Sequence, residues 1–272
     1  MRLIKNENLN NLRLCLVFLM SVILVLIPVA SASLDKDASD ATQSSDVQSV
    51  KEEIAGVTKD GDLLIKGVIV HYKDKNDKVK PIKPSRPSDS GSGCYKLLGY
   101  KWYPDQLPVK YVINPGNPFG LTQDFITSTL YRSTETWDNA TSTELFSNTY
   151  QLDPSARWGI YDGRNSMVFG NNYADSRAIA VTTYWRSFMG KRLLEFDISF
   201  ETDYTWGDAT IDPSKMDLQN IAVHEIGHGI GLADLYNSCT QETMYGYSGY
   251  GETRKRDLNS GDISGLQNLY GS

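Results

Sequence analysis

The chain has 272 residues, 40% of them hydrophobic and 22% charged, with 22 glycines and 10 prolines. This composition can bury a core and excludes collagen-like and wholly disordered classes. Its 27 basic and 33 acidic residues leave a formal net charge of −6 at pH 7. That balance speaks against a nucleic-acid binder, which needs a basic stripe to meet phosphates, and against a polybasic membrane-surface protein.

Residues 1–32 read as a secretory signal peptide. Arg2, Lys5 and Arg13 form a positive start, Leu14 to Ala30 is almost continuously apolar, and Ala30-Ser31-Ala32 is a small-x-small cleavage signal. The apolar run is interrupted by Pro28 and falls short of the roughly 20 residues a spanning helix needs. Cleavage after Ala32 is therefore expected, giving a secreted, extracellular chain with no membrane contact. Residues 33–93 hold a single aromatic residue, Tyr72, and end in the Pro-, Ser- and Gly-rich stretch from Lys80 to Gly93. They read as a pro-region or a flexible extension, with strand character only at Leu63 to Tyr72 and a short hairpin expected around Gly67.

From Cys94 to Ser272 the pattern becomes globular. Val109 to Asn114 suits a strand closed by Pro115-Gly116. Thr122 to Thr141 reads as a helix, with Thr122 capping it and Phe125, Leu130, Thr134 and Trp137 on its inner face. Trp158 to Tyr161, Met167 to Gly170, Ala178 to Arg186 and Leu193 to Tyr204 are strand candidates. In the last of these, Leu194, Phe196, Ile198 and Phe200 alternate with polar positions, the pattern of a half-buried strand. Helices are expected near 217–230 and 260–270. The fold class this order implies is α/β (α+β) with a mixed sheet. Trp137, Trp158 and Trp206 are expected in the core, and Asn139-Ala140-Thr141 is a glycosylation acceptor.

The chemistry lies in Val223 to Tyr236, VHEIGHGIGLADLY. His224 and His228 stand four apart, so a helix puts both imidazoles on one face, where one Zn²⁺ can take both. Glu225 sits beside the first histidine and can accept a proton from a water that the metal activates. A catalytic zinc needs a third protein ligand. Gly231 can turn the chain back after the helix, and Asp234 follows three residues later. The third histidine of the chain, His71, lies in the extension and is not counted among the ligands.

The segment H-E-x-x-H-x-x-G-x-x-D resembles the zinc signature of the metzincin clan of metalloproteases, and the domain resembles the matrixin family within it. Thr243-Met244-Tyr245 looks like the clan's Met-turn, and Leu258 to Gly271 (LNSGDISGLQNLYG) resembles the closing matrixin helix. Tyr95 to Asn114 resembles the approach to the first strand. The resemblance covers roughly residues 94–272. It implies a catalytic domain built of a twisted mixed sheet, active-site helix, Met-turn and C-terminal helix. It implies one catalytic Zn²⁺ on His224, His228 and Asp234, Glu225 as general base, and Met244 beneath the metal. Ala178 to Arg186 falls where the family pairs an edge strand with an extended substrate. The implied activity is that of a secreted, monomeric zinc endopeptidase acting on protein or peptide substrates, made as a zymogen.

Three departures bear on this. The third ligand is Asp234 where matrixins usually have histidine, no histidines remain for a structural zinc, and the propeptide cysteine motif is absent around Cys94. The resemblance also raises Ca²⁺ sites, for which Asp197, Glu201, Asp203 and Asp208 offer oxygen ligands. Tyr245, Tyr247 and Tyr250 either line the pocket, with one donating to the developing oxyanion, or simply pack. Cys94 has two readings: a thiolate switch on the zinc, or a disulfide with Cys239, which uses both cysteines left after signal removal and is favoured. Two rival functions stand beside the peptidase: an inactive zinc-containing binding or adhesion module, against which the retained Glu225 argues, and a surface-displayed structural protein.

Overall fold

The computed structural model describes residues 50–75, 93–236 and 238–272. The expected signal peptide, and the expected linker up to Ser92, lie outside the described residues. Among these residues, no helix is long and apolar enough to cross a membrane.

The elements run, in chain order, β1 (Lys51–Val57), β2 (Leu63–Lys73), β3 (Tyr111–Ile113), α1 (Gln123–Asp138), β4 (Gln151–Leu152), β5 (Asn165–Gly170), β6 (Ala178–Ser187), β7 (Leu193–Glu201), β8 (Trp206–Gly207), β9 (Met216–Asp217), α2 (Leu218–Gly229), β10 (Tyr247–Ser248) and α3 (Ser260–Tyr270). The main sheet has the order β1-β2-β6-β7-β5-β3-β4, and β10 adds to β2. β1, β2, β6 and β7 pair antiparallel, whereas β7, β5, β3 and β4 run parallel. This is the mixed α/β sheet expected from the sequence. β8 and β9 form a separate parallel pair.

The core lies between the sheet and helices α1 and α2. Ile126, Leu130 and Trp137 of α1 meet Ile221, Val223 and Ile226 of α2 and Phe196, Ile198 and Phe200 of β7. The Trp137 indole N–H donates to the Val223 carbonyl at 2.8 Å and fixes the two helices to each other. The N-cap of α1 forms as its sequence indicates, with Thr122 Oγ1 accepting from the Phe125 N–H at 3.2 Å. Trp206 is buried, Trp158 is half-buried, and Asn139 is exposed at the C-cap of α1.

Three sequence expectations change. The hairpin of the extension turns at Thr58–Asp62, not at Gly67, and β1 comes from the charged stretch KEEIAGV, whose side chains carry little apolar signal. Trp158 to Tyr161 forms no strand. β7 is buried on both faces. A bulge opposite Trp185/Arg186 makes Leu193 the inward residue in place of Leu194. The polar positions are covered because a loop lays its amides on them. Glu195 accepts from the Asp162 and Gly163 N–H groups, Asp197 from Gly159 and Ser166, and Glu201 from Asn172 and Tyr173.

Candidate metal centre

Helix α2 begins at Asp217, whose carboxylate accepts from the Asn220 N–H at 2.8 Å and is held by the Arg256 guanidinium, Nε to Oδ1 2.8 Å. Apolar residues at nearly every turn bury it on all sides. The helix therefore carries its polar residues, His224, Glu225 and His228, into the interior, each 0% exposed. The chain then reverses at Gly231, φ +103°, where a Cβ would lie 2.4 Å from the Tyr100 carbonyl oxygen. Both the backbone conformation and the close approach require glycine there. The reversal brings Asp234 back over the helix.

The geometry at this point fits a small tetrahedral cation. His224 Nε2 and His228 Nε2 are 3.1 Å apart, and Asp234 Oδ1 lies 3.1 Å from the first and 3.4 Å from the second. Ligands at the usual zinc distances of about 2.0–2.1 Å subtend a tetrahedron edge of about 3.3–3.4 Å. Hydrogen bonds on the far ring nitrogens set the tautomers. His224 Nδ1 is 2.7 Å from the Thr243 carbonyl and His228 Nδ1 is 2.9 Å from the Leu232 carbonyl. Donation of both Nδ1–H groups leaves both Nε2 lone pairs facing inward. The Tyr236 hydroxyl donates to Asp234 Oδ2 at 3.0 Å and leaves Oδ1, buried and without a hydrogen bond among the described residues, to the two imidazoles. Three converging lone pairs with no donor between them make a group that could hold a metal ion. The sequence motif contains Tyr236 but implies no role for it. Its signal was its position two residues after the acid.

Met244 is buried against the same helix, packed over Gly227. Cys94 and Cys239 are joined in a disulfide, so Cys94 is a structural residue here and is not a thiolate ligand. Tyr245 and Tyr247 meet edge-on at 5.9 Å, Tyr247 also packs on Tyr236, and Tyr250 packs on Tyr204. Of the carboxylates considered for calcium, Asp197 and Glu201 are turned to backbone amides, and Asp208 to Arg256 and Thr210.

Glu225 is tied on both oxygens. Thr182 of β6 donates its hydroxyl to Oε2 at 2.6 Å, and His71 Nδ1 lies 3.2 Å from Oε1. Burial pushes the Glu225 carboxyl up to about 7, within the range that suits proton transfer near neutral pH. By sequence His71 belongs to the extension and is not expected near the site. The structure puts it at the centre: it is 0% exposed, with its ring centroid 3.9 Å from that of His224.

A profile of the Matrixin peptidase family M10 matches residues 101–271. The chain is 43% identical over 77 residues to Metalloendoproteinase 1 of Glycine max, covering 26% of this chain and 24% of that one. It is 26% identical over 177 residues to Metalloendoproteinase 2-MMP of Arabidopsis thaliana, covering 63% of this chain and 43% of that one. It is 36% identical over 86 residues to Matrix metalloproteinase-25 of Homo sapiens, covering 31% of this chain and 15% of that one. The chain thus spans less than half the length of each of these relatives.

Proposed function

The chain belongs to the matrixin family, and on that premise we propose that it is a secreted zinc-dependent endopeptidase. The observation that carries the proposal is the triangle of His224 Nε2, His228 Nε2 and Asp234 Oδ1 beside the buried Glu225 carboxyl. His224, His228 and Asp234 are assigned as the zinc ligands and Glu225 as the general base. Zinc held there would lower the pKa of a water toward about 7 and polarise the scissile carbonyl.

The chain's own residues supply the rest. β6 offers its backbone to an extended peptide, and main-chain pairing gives affinity that is largely independent of sequence. Glu225 takes the proton of the attacking water and delivers it to the leaving amine. Thr182 holds the carboxyl in place through its hydrogen bond to Oε2. Tyr236 holds Asp234 Oδ2, which leaves Oδ1 as the oxygen that would meet a metal. In this reading residues 1–32 are a signal peptide, 33–93 a pro-region and 94–272 the catalytic domain, acting on proteins outside the cell.

The test is incubation of the purified chain, cut between Lys80 and Gly93, with an unfolded protein substrate. Hydrolysis that disappears with a zinc chelator and returns with added Zn²⁺ is expected. Hydrolysis indifferent to the chelator, or none from a zinc-loaded and folded sample, would refute the reading.

A further inference from the structure

Two carboxyls, Glu242 and Asp262, join helix α3 to the segment 239–244, and both residues are 0% exposed. Glu242 Oε2 accepts from the Gly261 N–H at 3.0 Å and the Asp262 N–H at 3.1 Å. The first turn of a helix leaves such N–H groups without an internal partner. Asp262 reaches back in the opposite direction. Its Oδ2 accepts from the Thr243 N–H at 2.8 Å and the Asn259 N–H at 2.9 Å, and its Oδ1 from the Met244 N–H at 3.1 Å. The two side chains also hydrogen-bond to each other.

An ionised carboxylate only accepts, so a hydrogen bond between two carboxyls requires a proton on one of them. The remaining partners say which. Asp262 has N–H donors on both oxygens, which favours its charged form. Glu242 has both of its donors on Oε2, and its Oε1 is buried with no donor among the described residues. A buried polar atom left in that state is rare and calls for a partner. A proton on Oε1 meets both needs: it satisfies that oxygen and supplies the bond to Asp262.

The surroundings offer no positive charge in its place. Neither carboxyl forms an ion pair among the described residues. The start of the domain presents the uncharged Cys94 carbonyl to Gly261. Asp257, in the segment before α3, meets Thr243 through its backbone carbonyl at 2.9 Å. On the side of α2, Thr243 faces His224, whose Nδ1 lies 2.7 Å from its carbonyl oxygen. Burial, followed by the charge of Asp262, pushes the Glu242 carboxyl up to about 7, and burial also raises Asp262.

We propose that Glu242 is a positioning residue for the metal centre, and that the proton it shares with Asp262 latches segment 239–244 onto α3 and so holds the Thr243 carbonyl against His224. Its effect on the metal rests on the zinc-peptidase reading above; the shared proton does not. The hydrogen bond on the far nitrogen of a ligating histidine fixes the ring and tunes its basicity, so the latch acts on zinc through Thr243. The folded-state pKa of Glu242 lies above the unfolded one. The stabilisation is therefore full at acid pH and is lost as pH rises through about 7. The proton then passes to solvent, and two negative charges remain side by side with no cation between them. The segment parts from α3 and the His224 ring loses its fixed acceptor.

The experiment follows the zinc-loaded full chain through two readouts from acid to alkaline pH, with Glu242→Gln and Glu242→Ala beside the wild type. Infrared difference spectra report protonated carboxyls. A band that titrates near neutral pH in the wild type and is missing from both variants is expected. Release of zinc to a chelator reports the site. Protonation of ligands makes release faster as pH falls; here release should also rise on the alkaline side, on the order of tenfold. Glutamine keeps the acceptor for the two N–H groups and a permanent N–H donor toward Asp262. Glu242→Gln should therefore hold zinc with no alkaline rise, whereas Glu242→Ala should release it faster at every pH. An alkaline rise of wild-type size in the glutamine variant, or infrared spectra that the substitution does not alter, would overturn the proposal and leave the peptidase reading intact. The carboxyl titration in a folded chain that binds no zinc would overturn the peptidase reading, and with it the role of Glu242 at the metal, while the shared proton would stand.

Discussion

Met244 occupies the space that a side chain on Gly227 would need: a Cβ there would lie 2.3 Å from the Met244 sulfur and 2.8 Å from the Trp137 ring. The glycine between Glu225 and His228 is thus a packing requirement, set by the methionine on one side and α1 on the other. Met244 is in turn positioned by α3, whose Asp262 carboxylate accepts from the Thr243 N–H at 2.8 Å and the Met244 N–H at 3.1 Å. Gly227→Ala should therefore overpack the centre and cost about 1–3 kcal/mol. Urea unfolding of the zinc-free protein measures it, and an unchanged midpoint would show that Met244 can simply move aside.

Glu225→Ala separates metal binding from chemistry. The carboxyl lies outside the His224, His228 and Asp234 triangle, so zinc content should stay near one per chain. Proteolysis by the cut enzyme should fall by several orders of magnitude, because proton transfer is lost in both halves of the reaction. Turnover close to wild type in a zinc-replete variant would remove Glu225 from the mechanism.

The convergence of His224, His228 and Asp234 was readable because helical spacing and a reversing glycine are local facts. His224, His228 and Glu225 follow from one turn of α2, and Asp234 from Gly231. His71 was not readable, since what brings it in is an antiparallel pairing between β2 and β6, more than a hundred positions apart in the chain. No local pattern encodes that partner, and low aromatic content made the segment look peripheral. The covered polar face of β7 was hidden for a related reason. Alternation reports which residues are apolar, but it does not report that a loop brings amide donors to Glu195 and Asp197.

Asp234 offers the sharpest test of the metal site. Removing its carboxylate leaves two imidazoles on that side of the ion, so Asp234→Ala in the cut enzyme should weaken zinc retention on the order of 100-fold or more. Asp234→His should keep the metal. Tyr236→Phe should show a smaller loss, because only the orienting hydrogen bond to Oδ2 goes. Competition against a chelator of known affinity reads all three, and wild-type affinity in the alanine variant would refute the ligand assignment.

The carboxylates under the loop at 159–166 predict a pH dependence of stability. Burial pushes Glu195 up to about 7 and Asp197 up to about 8, against the donation they receive from backbone amides. Their folded-state pKa values thus lie above the unfolded ones, near 4. Between those limits the folded state binds more protons than the unfolded one, so this contribution is full below about pH 4 and is lost as pH rises toward 8. Unfolding free energy at saturating zinc should fall from pH 5.5 to pH 8, on the order of 1 kcal/mol per pH unit. The double substitution Glu195→Gln and Asp197→Asn should flatten that slope. An equally steep decline in the double variant would place the titration elsewhere.

The Cys94–Cys239 disulfide closes a loop across a separation of 145 positions. In the chain-entropy account such a cross-link restricts the unfolded ensemble by about 4–5 kcal/mol, less any strain in the folded state. Its position adds a second effect. Cys239 lies between Asp234 and Met244, and Gly261 at the start of α3 sits against the Cys94 carbonyl, where a Cβ would come within 2.2 Å. The bond therefore ties the segment carrying the third proposed ligand to the first residues of the domain and to α3. Replacing both cysteines by serine should lower unfolding stability by about 2–5 kcal/mol, and should also speed zinc loss from the folded enzyme. Reduction of the wild type should reproduce both effects. Lower stability with unchanged zinc off-rate would assign the bond to the unfolded state alone, whereas no change in either would mean that the close packing of Cys94 against Gly261 suffices without it.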